Sequence, residues 1–151
     1  NNHWRPQPNT EATYHNTTYV RPLLEYCAPV FHASLTASQA NQIERVQKRA
    51  LKLIGGYDIS YQQLLEDMHL DSLADRRSQL CLRFAKKLLN SAEHRDILPP
   101  ERVTISARRT RYAHLLQPYR CGARLRNSSV PYMTTLLNQD FCDLQMHKCT
   151  A

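Results

Sequence analysis

Between residues 36 and 75 the sequence places a small hydroxyl side chain three positions ahead of a Gln or Asp at three points: Thr36 with Gln39, Ser60 with Gln63, and Ser72 with Asp75. A Ser or Thr that accepts from the backbone N–H three residues on closes a helix N-terminus, and a Gln or Glu there can return the bond. Apolar residues at spacings of three and four follow each pattern, the period of a helix with one buried face. With only 3 Gly in 151 residues, a fold built on many tight turns is excluded, and so is a Gly-rich phosphate loop. The expected fold class is all-α: a small antiparallel helical bundle, followed by an irregular basic extension with a short terminal helix.

Residues 1–9 are polar and carry two prolines, which predicts a disordered lead-in. A first helix is expected from Glu11 to Cys27, with Tyr19, Val20, Leu23, Leu24 and Cys27 on its apolar side and a kink at Pro22. His15 to Thr18 look too polar for a buried face, and Ala28 to His32 read as a connector. The second helix is predicted to bury Ile43, Val46, Ala50, Leu53 and Ile54, to keep Arg45, Lys48, Arg49 and Lys52 mostly off that face, and to stop at Gly55-Gly56. A short helix carries Leu64, Leu65 and Met68. A fourth runs from Ser72 to about Asn90, its stripe being Leu73, Leu80, Cys81, Phe84, Leu88 and Leu89. Of the adjacent Arg76 and Arg77, one is expected to pair with an acidic neighbour such as Asp71 or Asp75 and the other to be solvated. The bundle is expected over 10–92 and the extension over 93–151, with Pro99-Pro100 near the boundary. The last helix is expected from Pro131 to Asn138, with 139–151 loose.

Charge divides the chain unevenly. Residues 1–75 hold 6 Lys/Arg against 8 Asp/Glu, and residues 76–151 hold 14 against 5. The whole net charge of +7 is therefore owed to the second half, and a polyanionic partner is the natural inference. From Arg102 to Arg126 there is no acid at all. Arg102, Arg108, Arg109, Arg111, Arg120, Arg124 and Arg126 alternate with Tyr112 and Tyr119. Guanidinium groups pair with phosphates and Tyr rings offer stacking faces to unpaired bases, so these nine residues are the candidate nucleic-acid-binding set.

Enzymatic chemistry finds little support. No nucleophile elbow or zincin helix occurs, and no Asp-Asp pair stands where a two-metal polymerase site would need clustered carboxylates. No catalytic residue and no cofactor are expected in this chain. The 5 Cys are scattered without CxxC spacing, which speaks against a disulfide framework and for a reducing, intracellular setting, nuclear or cytoplasmic. Cys121, Cys142, His147 and Cys149 could supply four zinc ligands, but their spacing matches no common finger, and a zinc-binding domain stays the third reading. No apolar run is long enough to span a membrane, no signal peptide is evident, and a start at Asn1 suggests a piece of something longer.

Four strings of the sequence resemble one family. Tyr19-Val20-Arg21-Pro22-Leu23-Leu24-Glu25-Tyr26-Cys27-Ala28-Pro29-Val30-Phe31-His32 resembles the segment that follows the polymerase palm in LINE-type (non-long-terminal-repeat) retrotransposon reverse transcriptases, with Phe31 where Trp is usual. Ile43-Glu44-Arg45-Val46-Gln47-Lys48-Arg49-Ala50-Leu51-Lys52-Leu53-Ile54 resembles the helix that comes next in that family. Tyr61 to Leu65, Leu73 and Arg76-Arg77 resemble its continuation, and Arg124-Leu125-Arg126-Asn127-Ser128-Ser129-Val130-Pro131-Tyr132 resembles a segment that closes many jockey-like and related members. The likeness runs in the family's order over about residues 19–139, and residues 1–18 fall outside it. It implies a thumb and post-polymerase tail: a helical part packed on the catalytic core of a parent enzyme and a basic part touching RNA or DNA. The family's catalytic Asp-Asp motif lies upstream and is absent here. A stand-alone helical interaction module without a nucleic-acid role is the alternative.

Overall fold

The computed structural model describes residues 10–102, 115–120 and 122–149. Among them the structure is all-α, with one isolated antiparallel bridge between Glu101 and Leu116 and no strand. The lead-in over 1–9 lies outside the described residues. Two compact units are present: one of residues 1–28 and 35–78, the other of residues 29–34 and 79–151. The boundary expected at residue 92 falls inside the second unit.

The first helical stretch is continuous but not uniform. α1 (Thr10–His15) passes into a π-helical turn (Asn16–Val20) and then α2 (Arg21–Glu25). Pro22 explains the interruption. It offers no N–H and its ring crowds the carbonyl four residues back, so the ladder widens just before it. Arg21 N–H accordingly donates to Asn16 O, five residues earlier. Asn16, expected on a polar outer face, is buried. The expected connector is itself helical, as α3 (Ala28–Phe31) followed by a 3-10 turn (His32–Ser34).

α4 (Ala37–Gly55) begins on the predicted capping box: Thr36 Oγ1 accepts from Gln39 N at 3.3 Å, and Gln39 Oε1 accepts from Thr36 N at 3.0 Å. Gly56, with φ 104°, ends it in a conformation open to glycine. α5 (Tyr61–Asp67) is capped by Ser60 and α6 (Leu73–Leu89) by Ser72, as the sequence predicts. The core of the first unit joins Leu51 of α4 to Leu64, Leu65 and Met68, with Ile54, Ile59, Tyr61 and Leu70 packed against it. Gly55 lets α4 and α5 approach: a Cβ there would collide with Leu64 Cδ2.

The buried face of α4 is the predicted one only in part, at Ile54, which packs against the core. Gln47 and Leu51 are inside, whereas Val46 is 48% and Leu53 66% exposed. In α6 the buried line runs Leu73, Arg77, Cys81, Ala85 and Leu88, and Phe84 is 42% exposed rather than in the core. In both helices a polar residue, Gln47 or Arg77, occupies an inward position. In α4 this turns the face by about one residue, or 100°, whereas in α6 the predicted Leu73, Cys81 and Leu88 stay in the buried line and Phe84 alone of the predicted stripe is exposed. Residues 73–78 of α6 belong to the first unit and Gln79 onward to the second.

In the second unit Ala85, Leu88, Leu98, Leu116, Met133 and Leu137 form one core. α7 (Ala123–Arg126) and α8 (Ser129–Cys149) follow. α8 overturns the expectation of a short helix ending at Asn138 and a loose end. Its inward line alternates apolar Met133 and Leu137 with polar Thr134 and Asn138, so no clean stripe announces it. Asn138 receives Leu116 N–H at 2.8 Å and donates to Leu116 O at 3.0 Å, and Asp140 pairs with Lys86 at 2.8 Å, which carries the helix past the predicted end.

The face assignment is testable by paired truncations. Leu51→Ala should cost about 2–5 kcal/mol in denaturant unfolding, and Leu53→Ala less than about 0.5 kcal/mol. Equal costs would restore the predicted stripe. Gly55→Ala should cost about 1–3 kcal/mol through the collision with Leu64.

Candidate functional site

The first unit is organised around polar side chains that point inward. Glu44 Oε1 accepts from Tyr61 OH at 2.5 Å and from Leu73 N at 3.2 Å, tying α4 to α5 and to the start of α6. Gln47, one turn on, donates from Nε2 to Tyr61 OH at 3.0 Å and to Asp71 O at 3.4 Å. Arg21 Nη2 donates to the same carbonyl at 2.7 Å. Arg21 Nε lies 3.5 Å from Glu25 Oε1, and Glu25 takes both Nε and Nη2 of Arg76 at 3.2 Å.

Burial shifts the charges of this network. Desolvation lowers the Arg21 pKa, with Glu25 opposing that shift, whereas the hydrogen bonds to Glu25 raise that of Arg76. Tyr61 is pushed well above its ordinary value of 10.0, first by desolvation and then by its bond to Glu44. The expectation for the arginine pair is corrected here: Arg76 pairs with Glu25 rather than with Asp71 or Asp75, and Arg77 is wholly buried rather than solvated. A fully buried guanidinium is tolerated only with polar company.

With Gln47 and Leu51 turned inward, the opposite side of α4 faces out. Arg45, Lys48, Arg49 and Lys52 line a groove of about 900 Å³ there, with Val20, Val46, Ala50, Leu53 and Tyr57 as its apolar part. Lys48 Nζ stands 5.9 Å from the Tyr61 ring centroid, and Lys52 Nζ donates to Tyr57 O at 3.2 Å. Among the described residues none of these four cations is in an ion pair. A count over residues 1–75 hides this cluster beneath a surplus of acids. The spacing 45, 48, 49, 52, which puts the four on one side of a helix, is the signal that could have found it.

Of the predicted nucleic-acid set, Arg108, Arg109, Arg111 and Tyr112 lie outside the described residues, as does the side chain of Arg124. Arg102 N–H donates to Leu115 O at 2.9 Å and Gln117 N–H to Pro100 O at 2.9 Å, so the two ends of the stretch between them are held together. Arg120 and Arg126 are exposed. The Tyr119 hydroxyl donates to Ile97 O at 3.4 Å, leaving the side chain partly exposed. Arg95 is committed to Leu98 O and Pro99 O. Of the four possible zinc ligands only the Cys142 side chain is described, and it is a free, half-buried thiol; Cys121 and the side chains of His147 and Cys149 lie outside the described residues. Among the described residues no three His, Cys, Asp or Glu side chains are placed to hold a metal ion. No described helix is long and apolar enough to cross a membrane.

No protein-family model, curated protein or solved structure matches this chain.

The network has a pH signature. Because Tyr61 titrates higher folded than unfolded, its contribution is complete below pH 10.0 and is lost as pH rises from there toward its native-state titration. The melting temperature of the parent chain should therefore fall above about pH 10 more steeply than that of Tyr61→Phe. Parallel alkaline profiles would remove Tyr61 from the network.

Proposed function

We propose that this chain is the non-catalytic tail of a LINE-type reverse transcriptase, in which the helical part supports the parent enzyme's catalytic core and the basic part contacts template and primer nucleic acid. One observation carries the reading: each of the four resembling strings makes contacts to residues of another. Arg21, Glu25, Glu44, Gln47, Tyr61, Leu73 and Arg76, from the first three strings, share the network of the first unit. In the second unit Ser129 of the last string donates to Val30 O of the first at 2.6 Å, and His32 and Tyr132 rings meet edge-on at 5.4 Å. Strings chosen for likeness alone thus pair among themselves within each unit, which supports treating them as parts of one inherited sequence.

The carboxylates of this network are already occupied: Glu25 is spent on two arginines, and Glu44 on a phenol and an amide. Primer extension by the purified chain with magnesium is expected to give no template-dependent incorporation. The alternative, a helical interaction module, draws support from apolar side chains left in solvent, above all Leu23 at 80% and Tyr26 at 76% exposure. In the polymerase reading such residues would meet the parent enzyme's core.

Salt separates the two. Phosphate contacts release condensed counterions, so the tail should bind RNA or DNA oligonucleotides with an affinity that falls steeply with salt. Replacing Arg108, Arg109 and Arg111 by Ala should weaken binding and shallow the slope of log affinity against log salt by about 0.7 to 0.9 for each contact removed. Tyr112→Ala and Tyr119→Ala should hurt single-strand binding more than duplex binding, because paired bases offer no free face. A triple variant with the parent's affinity and slope would leave the interaction module as the surviving reading.

A further inference from the structure

The groove on α4 combines two chemistries that a phosphate strand does not need together. Its rim is cationic, and its floor is aliphatic, with Val46 and Leu53 presented on the side opposite the helix's own buried face. We propose that this groove receives an acidic amphipathic helix of a partner protein, the helix-in-groove mode in which an apolar stripe enters and charged flanks pair with the rim.

Three observations select that occupant. The cations at 45, 48, 49 and 52 recur every three or four residues, about 4.5–6 Å along the helix axis, which is the repeat of carboxylates on one side of a second helix. Among the described residues no acid of this chain neutralises them, so the complementary charge is to come from outside. Val20 of the π turn joins Val46, Ala50 and Leu53 in the lining, and these aliphatic side chains beside the cations suit a row of Leu-sized side chains on a second helix. A nucleic-acid strand would use the rim and leave Val46 and Leu53 wet. The inference rests on the groove alone and not on the polymerase reading.

The test uses the full chain and three labelled probes followed by fluorescence anisotropy. The first is a peptide of about five helical turns with Leu at i, i+3, i+4 and i+7 flanked by Glu. The second has the same composition, scrambled so that Leu and Glu no longer segregate. The third is an oligo-dT strand. The amphipathic peptide should bind about 10-fold or more tightly than the scrambled one, and Leu53→Asp and Arg49→Glu should each weaken it by about 10-fold. Both residues are exposed, so an unchanged melting temperature is expected and confirms that the variants fold. Oligo-dT binding should be unaffected by these two substitutions, and peptide binding should be unaffected by the triple Ala variant at 108, 109 and 111. The proposal is overturned if the two peptides bind alike, if neither binds, or if the groove substitutions weaken oligo-dT as much as the peptide, which would make the occupant a nucleic acid.

Discussion

Two oxygen atoms organise the first unit: Oε1 of Glu44 and the carbonyl of Asp71. Each accepts from two donors on different segments, Tyr61 and Leu73 for the first, Arg21 and Gln47 for the second. A buried donor left without its acceptor costs more than the bond itself contributes, so such junctions specify a packing as much as they strengthen it. Once Glu44 and Gln47 are drawn inward, the rotation of α4 is set. Leu51 meets the core formed with α5, and Arg45, Val46, Lys48, Arg49 and Leu53 have only the solvent side left.

That rotation marks where sequence reading succeeds and where it fails. The caps at Thr36, Ser60 and Ser72 and the stop at Gly55-Gly56 are legible because they depend on two or three neighbouring residues and on local backbone geometry. The buried faces are less so. A search for apolar periodicity treats Gln47 and Arg77 as outward residues, yet both are inside: Gln47 donates to Tyr61 OH and Asp71 O, 14 and 24 positions away, and Arg77 has no exposed surface. The long terminal helix escapes for a related reason. Thr134 and Asn138 break its stripe, Thr134 bonding back to Val130 O and Asn138 reaching the carbonyl of Leu116, 22 positions away.

The two candidate surfaces differ in the same way. A run of arginines without an acid is visible in any reading of the sequence, and it is what prompts the proposal of a polyanionic partner. The groove on α4 is not, although its four cations fall off the predicted apolar face, because the residues that make it a groove come from the π turn and from Tyr57. Val20 has its place there within the widened ladder ahead of Pro22, which no count of charge or hydropathy reports. Adjacent charges are equally opaque to local reading: Arg76 and Arg77 are chain neighbours, but one reaches a carboxylate 51 positions away and the other has no exposed surface.

Leu116 is held by Asn138 at both its N–H and its carbonyl and is wholly buried, and the bridge to Glu101 stands beside it. One side chain, Asn138, thus answers both backbone groups of a residue with no access to water. A buried N–H or C=O deprived of its partner costs about 1–3 kcal/mol, so a change at a position that an apolar pattern passes over would be felt 22 positions away, at Leu116.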